Sequence, residues 1–569
     1  MPDPVSPAAS RALIAARLGI GLAQGVALRA LSAMVEGAVP HPWAAANPKG
    51  FGLLVLLAAL LPLPVLLGLG HIRGRALAAW TLASAALILL LGGHDLRQHG
   101  ELSLTPASNA LMLSLGGLLF IGQALMAAAD AGRRWWPRYP DLFEAAWRTG
   151  MQLALALAFV LGFWLIYWIG SMLFSGIGIK ALRDLGGRSG FVIPVTTALG
   201  AAGIHLADSG GRLTRGLRAL LLALGAWLAP PAAGLAAAFL LSLPFTGLEV
   251  FRGSEAASWL TAAAAGLVVL INAVHGDGGS RGEGSAALLL GLSARLSAVL
   301  LPVLVALAAL VLARTVGSRG LTEMRVEGAA VLALLAAYAV AYAFAARRPA
   351  MRAIEPANTT IALLAIPVLV ALNTPLADPA RLTAESQTGR LLRGEVAPDD
   401  FDFYRLGKAG HSGGRALAAL ARHPDPEIAR RADAALPRPE TPPPATLEDA
   451  AEAPLRLRAL PDGTALPPGL AEAMMQVRPE CVEEECVARL VELEGQDTWL
   501  VGPVYGGFRA MRAEGAGWRL LAIFNAPLQC RDAARAGLRA GPPNAAPWLP
   551  ALELGGVVLR PVLPRDHCR

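Results

Sequence analysis

The first 480 residues of this 569-residue chain contain no cysteine; the only four are Cys481, Cys486, Cys530 and Cys568. Lysine occurs three times, at Lys49, Lys180 and Lys408, so the formal charge of +7 is carried by arginine. Charged residues make up 16% of the chain, against about a quarter in soluble domains, which excludes a string of ordinary soluble domains. No dense Lys/Arg stripe interleaved with aromatics is present, and nucleic acid is excluded as a partner on that ground. The signatures of common site chemistries are missing too. There is no serine-centred elbow and no paired-histidine metal motif, and the glycine-rich "GDGGSRGEGS" (276–285) lacks the Gly-Lys-Ser/Thr of a phosphate loop. The sequence therefore assigns no catalytic residue, no cofactor and no metal ion.

What fills the chain is apolar sequence, 55% of all residues. Between the start and Leu376 it is gathered into runs of roughly 18 to 25 residues, long enough to cross a bilayer as helices. The runs predict about eleven spans, near 12–34, 51–70, 76–93, 108–128, 151–174, 191–207, 217–243, 257–275, 295–314, 327–346 and 357–376. The first is the weakest, since it holds Arg17, Gln24 and Arg29. The sixth is short and carries Pro194 and His205, and the Pro230-Pro231 pair is expected to kink the seventh. The predicted fold is mainly α: a polytopic helical membrane domain (1–377), a helical extracytoplasmic segment (378–436), a proline-rich linker (437–454) and a small α+β domain (455–569).

Arginines in short loops orient such a domain, because positive charge stays on the cytoplasmic side. Arg73 and Arg75, then Arg133, Arg134, Arg138 and Arg148, then Arg212, Arg215 and Arg218, then Arg347, Arg348 and Arg352 fall in loops of one parity. The opposite loops are poorer, with Lys180, Arg183 and Arg188 in one and Arg319 and Arg325 in another. An odd number of spans then leaves the N-terminus cytoplasmic and the C-terminal region periplasmic in a bacterial inner membrane. Cysteine placement agrees, since four thiols confined to one soluble tail suit an oxidising compartment. Two bridges among Cys481, Cys486, Cys530 and Cys568 are expected, with three connectivities open. The competing reading is four reduced cysteines in a cytoplasmic tail.

In the tail, "GGRALAALARHPDPEIARRADAAL" reads as helix, turn, helix, and Asp399, Asp400 and Asp402 beside "FDF" read as helix caps or turns. Beyond the linker, "CVARLVELEG", "TWLVGPVYGG", "FRAMRAEGAG" and "WRLLAIF" read as short strands.

Three passages resemble a family of bacterial multispanning membrane proteins catalogued as a domain of unknown function (number 4153): "LINAVHGDG" (270–278), "RGLTEMRVEG" (319–328) and "LNTPLADPARLTAESQTGRLLRGEVAPDDFDF" (372–403). The resemblance implies an inner-membrane protein with a soluble C-terminal part and supplies no catalytic residues. Some relatives carry an aspartate-rich, calcium-loop-like stretch where this chain has "ELEGQDTW" (492–499). Its acids do not alternate as calcium ligands do, so it reads as a turn between strands.

Two polar clusters stand out. Asn272, His275 and Asp277 close the eighth span, either as a proton or cation site or as a plain helix end with glycine behind it. "RRWWPRYPDLFEAAWRTG" (133–150) reads as an interfacial helix anchored to lipid by Arg133, Arg134, Trp135, Trp136, Tyr139 and Trp147. Gln24, Gln123, Gln152 and His205 stand alone in their spans and read as sources of interhelical hydrogen bonds. The function expected is that of a non-enzymatic envelope component. Its partners are the lipid bilayer and an extracytoplasmic protein or ligand bound by the C-terminal domain. The alternatives are a permease working through the helices and an enzyme acting on lipid-linked substrates. A polar cavity at headgroup depth, lined by carboxylates or histidines, would favour the enzyme.

Overall fold

The computed structural model divides into two compact units, Met1–Arg438 and Pro439–Arg569. It describes residues 7–36, 40–99, 102–247, 256–278, 284–348 and 351–436 of the first. Of the second it describes 457–461, 464–470, 473, 486–493, 496–504, 507–514, 517–525, 538, 552–554 and 557–559. The linker 437–454 lies outside the described residues.

Among those residues, eleven helices are long and apolar enough to span a bilayer. They are Arg11–Ala33, Pro48–Gly68, Gly74–Gln98, Asn109–Gly132, Tyr139–Gly176, Ser189–Ser209, Thr214–Thr246, Ala256–His275, Ser285–Arg319, Glu323–Ala346 and Ile354–Leu372. Helices satisfy every backbone polar group internally, which lipid requires. The second span is interrupted at Leu61, where Pro62 opens a new helix. The Pro230-Pro231 pair lies within one uninterrupted helix, Gly211–Thr246.

The two weakest runs support each other. A Cβ on Gly21 would stand 2.8 Å from the Thr197 carbonyl oxygen, and one on Gly25 would stand 2.5 Å from Pro194 Cα. The first span thus presents a Gly-x-x-x-Gly face on which the backbone of the sixth lies directly, the usual device for close packing in lipid. On its other side the sixth span meets the fifth, where a Cβ on Gly203 would fall 2.6 Å from Ala156 Cα. Spans seven to eleven share a core of fully buried alanines, including Ala229, Ala264, Ala298, Ala308 and Ala345.

Polar contacts sort the span ends into two sets. At the near end, Arg17 at the start of span one meets Asp208 at the end of span six. Arg73, before span three, bonds Asp130 at the end of span four (2.7 Å). Arg218, near the start of span seven, pairs with Glu144 near the start of span five. Tyr139, at the start of span five, donates to the Gly276 carbonyl just past span eight (2.9 Å), and Tyr342 near the end of span ten donates to Asn358 near the start of span eleven (2.6 Å). At the far end, Asp95 of span three accepts from the Ser108 N–H before span four (2.9 Å), and His94 meets Asp378, just past span eleven (2.9 Å). The chain enters at the near end and leaves span eleven at the far end, as an odd number of crossings requires.

Residues 378–436 belong to the first unit rather than forming a separate body. Helices Pro379–Leu392, Phe403–Lys408, Gly410–Leu420 and Pro426–Ala435 close on a core of Leu391, Phe401, Phe403, Leu406, Leu417 and Ile428. Two predicted turns appear as caps: Asp402 accepts from the Arg405 N–H (2.8 Å) and Asp425 from the Glu427 N–H (2.9 Å).

The second unit holds a five-stranded sheet in the order β1 (Leu457–Leu460), β2 (Cys486–Leu493), β3 (Gln496–Val504), β4 (Gly507–Glu514), β5 (Gly517–Asn525). The four longer strands form an antiparallel meander, and β1 runs parallel to β2. Alternation buries both faces, with Ala488, Trp499 and Val501 on one and Val487, Leu500 and Phe508 on the other. Glu492 stands opposite Asp497 in the β2–β3 register, so "ELEGQDTW" is a hairpin. Cys486 is buried at the start of β2, and no free thiol occurs among the described residues. Cys481, Cys530 and Cys568 lie outside them.

Candidate functional site

The far end of the first unit holds a half-open cavity of about 1400 Å³ between the span ends and the helices that follow Asp378. Its roof is held on two sides. On one, the carboxylate of Asp378 caps helix Pro379–Leu392, accepting from the Ala380 N–H (2.9 Å) and the Arg381 N–H (3.3 Å). Its second oxygen accepts from Gln98 (2.7 Å) and faces His94 Nε2 (2.9 Å). One buried acid thereby ties helix Pro379–Leu392 to the end of span three. Gln98 also receives the Ser412 N–H (3.2 Å), which ties down helix Gly410–Leu420.

The other side is closed by the turn between spans nine and ten. Gln387 donates to the Leu321 carbonyl (2.7 Å), Arg390 to the Ser318 carbonyl (2.6 Å), and the Leu321 N–H to Ser386 (3.0 Å). Gly320 has φ +74°, and a Cβ there would stand 2.7 Å from Gln387 Nε2. Only glycine fits both that conformation and that approach.

Between these clamps the chamber has an apolar floor and a charged wall. Leu113, Ala262, Ala265, Val331 and Leu369 line the floor. Leu113 is 80% exposed. Arg319, Arg325, Arg390 and Arg405 line the wall together with Lys408, Glu323, Glu327, Asp400 and Asp402. Arg390 pairs with Glu395 (3.2 Å), whereas Arg319, Arg325 and Arg405 form no ion pair with any described residue. Arg325 lies within coulombic range of Arg319, Arg390 and Arg405. The passages 319–328 and 372–403 supply most of this wall. Their polar residues show no period because they meet across a cavity rather than along one helix.

The sequence-predicted cluster sits at the near end, where Asn272 bonds to two other spans. The Asn272 amide donates to Tyr342 (2.8 Å) and accepts from Asn358 (2.6 Å), and Tyr342 donates to Asn358 (2.6 Å). The three side chains close a ring that joins spans eight, ten and eleven. His275 is buried, with Nε2 3.8 Å from the Glu355 carboxylate and its ring 6.0 Å from that of Tyr139. Asp277 is exposed. Gly276, at φ +63°, donates its N–H to the Asn272 carbonyl (2.8 Å), the glycine termination of an ordinary helix end.

The segment 133–150 is not a separate interfacial helix. Arg133 caps span four in the left-handed conformation (φ 49°), and Arg134, Trp135 and Trp136 form an exposed turn. Pro137 precedes the next helix, which starts at Tyr139 with Pro140 in its first turn and runs unbroken to Gly176. Trp135 and Trp136 keep the exposure an anchor needs, but Tyr139 is buried against Gly276, and Trp147 packs on Phe143 (6.2 Å).

A second near-end network escaped the sequence reading. Arg17, fully buried, pairs with Asp208 and donates to the Leu69 carbonyl (2.7 Å). Gln152 donates to the other Asp208 oxygen (2.7 Å), and His71 Nε2 lies 3.0 Å from Asp208. Gln152 thus makes the interhelical hydrogen bond expected of it, and the signal that could have revealed the rest of the network was Arg17 itself. An arginine inside an apolar run needs a counter-charge, and Asp208 is the only acid in span six.

The fold defines a multi-pass α-helical membrane protein with a half-open chamber at one end of its bundle. Comparison with family models, with curated proteins and with solved structures returned no match.

Proposed function

We propose that the protein is a component of the bacterial inner membrane, N-terminus cytoplasmic, that binds a ligand on its periplasmic side in the far-end chamber. The observation that carries this is the chamber itself, a large cavity roofed by clamped helices and lined by charges the protein leaves unpaired. The orientation is supported by the arginine-rich loops, since those at 73–75, 133–138 and 347–352 join span ends of the near set. It is supported as well by the confinement of all four cysteines to positions 481–568, which fits an oxidising space. Membership of the multispanning family remains part of this proposal. The binding surface therefore moves from the C-terminal α+β domain to the chamber under residues 378–408, and the C-terminal domain becomes an accessory to it.

A second reading has one specific observation in its favour. Glu323, Glu327, Asp400 and Asp402 line the same chamber, and carboxylates at headgroup depth would suit an enzyme working on lipid-linked substrates. A permease finds less support, because its path would have to open the near-end networks around Arg17 and Asn272. The test is Ala265→Trp, which lays an indole across the chamber floor. In cells lacking the native gene, this variant is expected to insert at normal levels and to behave like the deletion. Full complementation by it would contradict a functional chamber.

A further inference from the structure

We propose that the chamber takes an amphiphile with a phosphate headgroup, the phosphate held by Arg319, Arg325 and Arg405 and the hydrocarbon laid along the apolar floor. The inference rests on the reading of the chamber as a ligand site and adds the chemistry of the ligand. Like charges do not converge without something to offset them, because each pair costs free energy that only an anion or distance relieves. Arg319 and Arg405 form no ion pair or side-chain hydrogen bond with any described residue. The Arg325 guanidinium reaches the Gly320 carbonyl (2.6 Å) and no acid. A guanidinium presents a planar fork of donors that matches phosphate oxygens two at a time, which is why arginine rather than lysine gathers at such sites.

The carboxylates of the same wall, Glu323, Glu327, Asp400 and Asp402, form no ion pair with these arginines among the described residues. Asp402 caps the helix that carries Arg405, accepting from its N–H. Glu323 and Glu327 lie one turn apart on span ten, and each is two residues from Arg325, about 200° around the helix. They face a different part of the chamber, where hydroxyl or ammonium groups beyond the phosphate would meet them. A soluble anion would have no use for the floor. Leu113 and Val331 are 80% and 46% exposed to the surroundings, and both line the cavity together with Ala262, Ala265 and Leu369. All five lie within membrane spans, so the floor continues the apolar surface that the helices present to lipid hydrocarbon. The floor calls for an apolar tail and the wall for a phosphate, and a phospholipid-like molecule carries both.

The test uses the full-length protein, delipidated in a neutral detergent, with three probes read by native mass spectrometry and titration. The probes are dioleoylphosphatidylglycerol, dioleoylglycerol (the same tails without phosphate) and inorganic phosphate (the headgroup anion without tails). Phosphatidylglycerol is expected to bind at least about tenfold more tightly than either of the others. Arg319→Gln/Arg405→Gln should lower its affinity by about tenfold or more, the factor that loss of a charge-assisted hydrogen bond gives, while leaving dioleoylglycerol unchanged. Ala265→Trp should remove both lipids from the chamber, and lipid on the outer surface will bind all variants alike. Equal binding of the two lipids, unaffected by the arginine substitutions but lost in Ala265→Trp, would overturn the phosphate assignment and leave the chamber as a neutral amphiphile site. Tighter binding of inorganic phosphate than of the lipid would overturn the tail. Lipid binding indifferent to Ala265→Trp would overturn the chamber reading itself.

Discussion

The two ends of the helical bundle use polar residues in opposite ways. At the near end, Arg17, Gln152, Asp208, Asn272, Tyr342 and Asn358 are each bonded to another part of the protein, and the spans are drawn together around them. At the far end, polar residues form two clamps, Asp378 on span three and Gln387–Arg390 on the turn before span ten. Between the clamps, Arg319, Arg325 and Arg405 are left without acidic partners. Polar groups spent on one another hold helices in place, whereas groups held apart over a cavity are available to something else. That distinction, rather than the mere presence of a polar residue at membrane depth, separates the structural cluster at Asn272 from the candidate site at Arg319.

The comparison breaks most visibly at Arg17. Arg17→Met would leave the Asp208 carboxylate in the bundle without its counter-ion, and removing one partner of a buried pair costs about 3–5 kcal/mol. A large drop in thermal stability in detergent is expected, and Arg17→Met/Asp208→Leu should recover much of it. A single variant as stable as the parent would mean that the near end is not held by this pair.

Next in size is Asp378→Ala, which removes a helix cap together with the acceptor for Gln98 and the partner of His94. A loss of about 1–2 kcal/mol is expected, localised by hydrogen exchange to Pro379–Leu392 while the near-end spans keep their protection. Uniform loss of protection would show that the roof and the bundle form one cooperative block.

The smallest effect concerns pH. Hydrogen bonds from Arg393 and Arg431 hold the carboxyls of Glu395 and Glu427 below the ordinary value of 4.5. A depressed folded value gives stability that is fully present above the ordinary value and lost as pH falls through the depressed one. Both groups are largely in contact with solvent, so only a slight loosening of 378–436 is expected below pH 4.5, read as faster proteolysis there. Glu395→Gln/Glu427→Gln should flatten it.

Much of the architecture was legible in the sequence because each span is a local property. The eleven runs became eleven helices, and the four strand-like passages became β2 to β5. Strand β1 was missed, being four residues whose strand partner among the described residues is the distant, parallel β2. The chamber could not be read, since it is assembled from residues hundreds of positions apart. His94 and Asp378 are separated by 284 residues, and Arg17 and Asp208 by 191. The cluster Asn272, His275 and Asp277 attracted notice because it is contiguous, yet contiguity on a helix end spreads side chains around the axis. Gln152 looked solitary for the converse reason, its partner Asp208 lying on another span 56 residues further along.

Everything proposed for the chamber depends on the far end facing the periplasm. The most direct measurement is impermeant thiol labelling of Trp135→Cys and Tyr404→Cys, each in a chain whose four native cysteines are replaced by alanine. Both positions are well exposed, one at the near end and one beside the chamber. In cells with a permeabilised outer membrane, label is expected at position 404 and not at 135, with 135 reacting only after lysis. Label at 135 in unlysed cells with 404 protected would place the chamber in the cytoplasm and contradict the account.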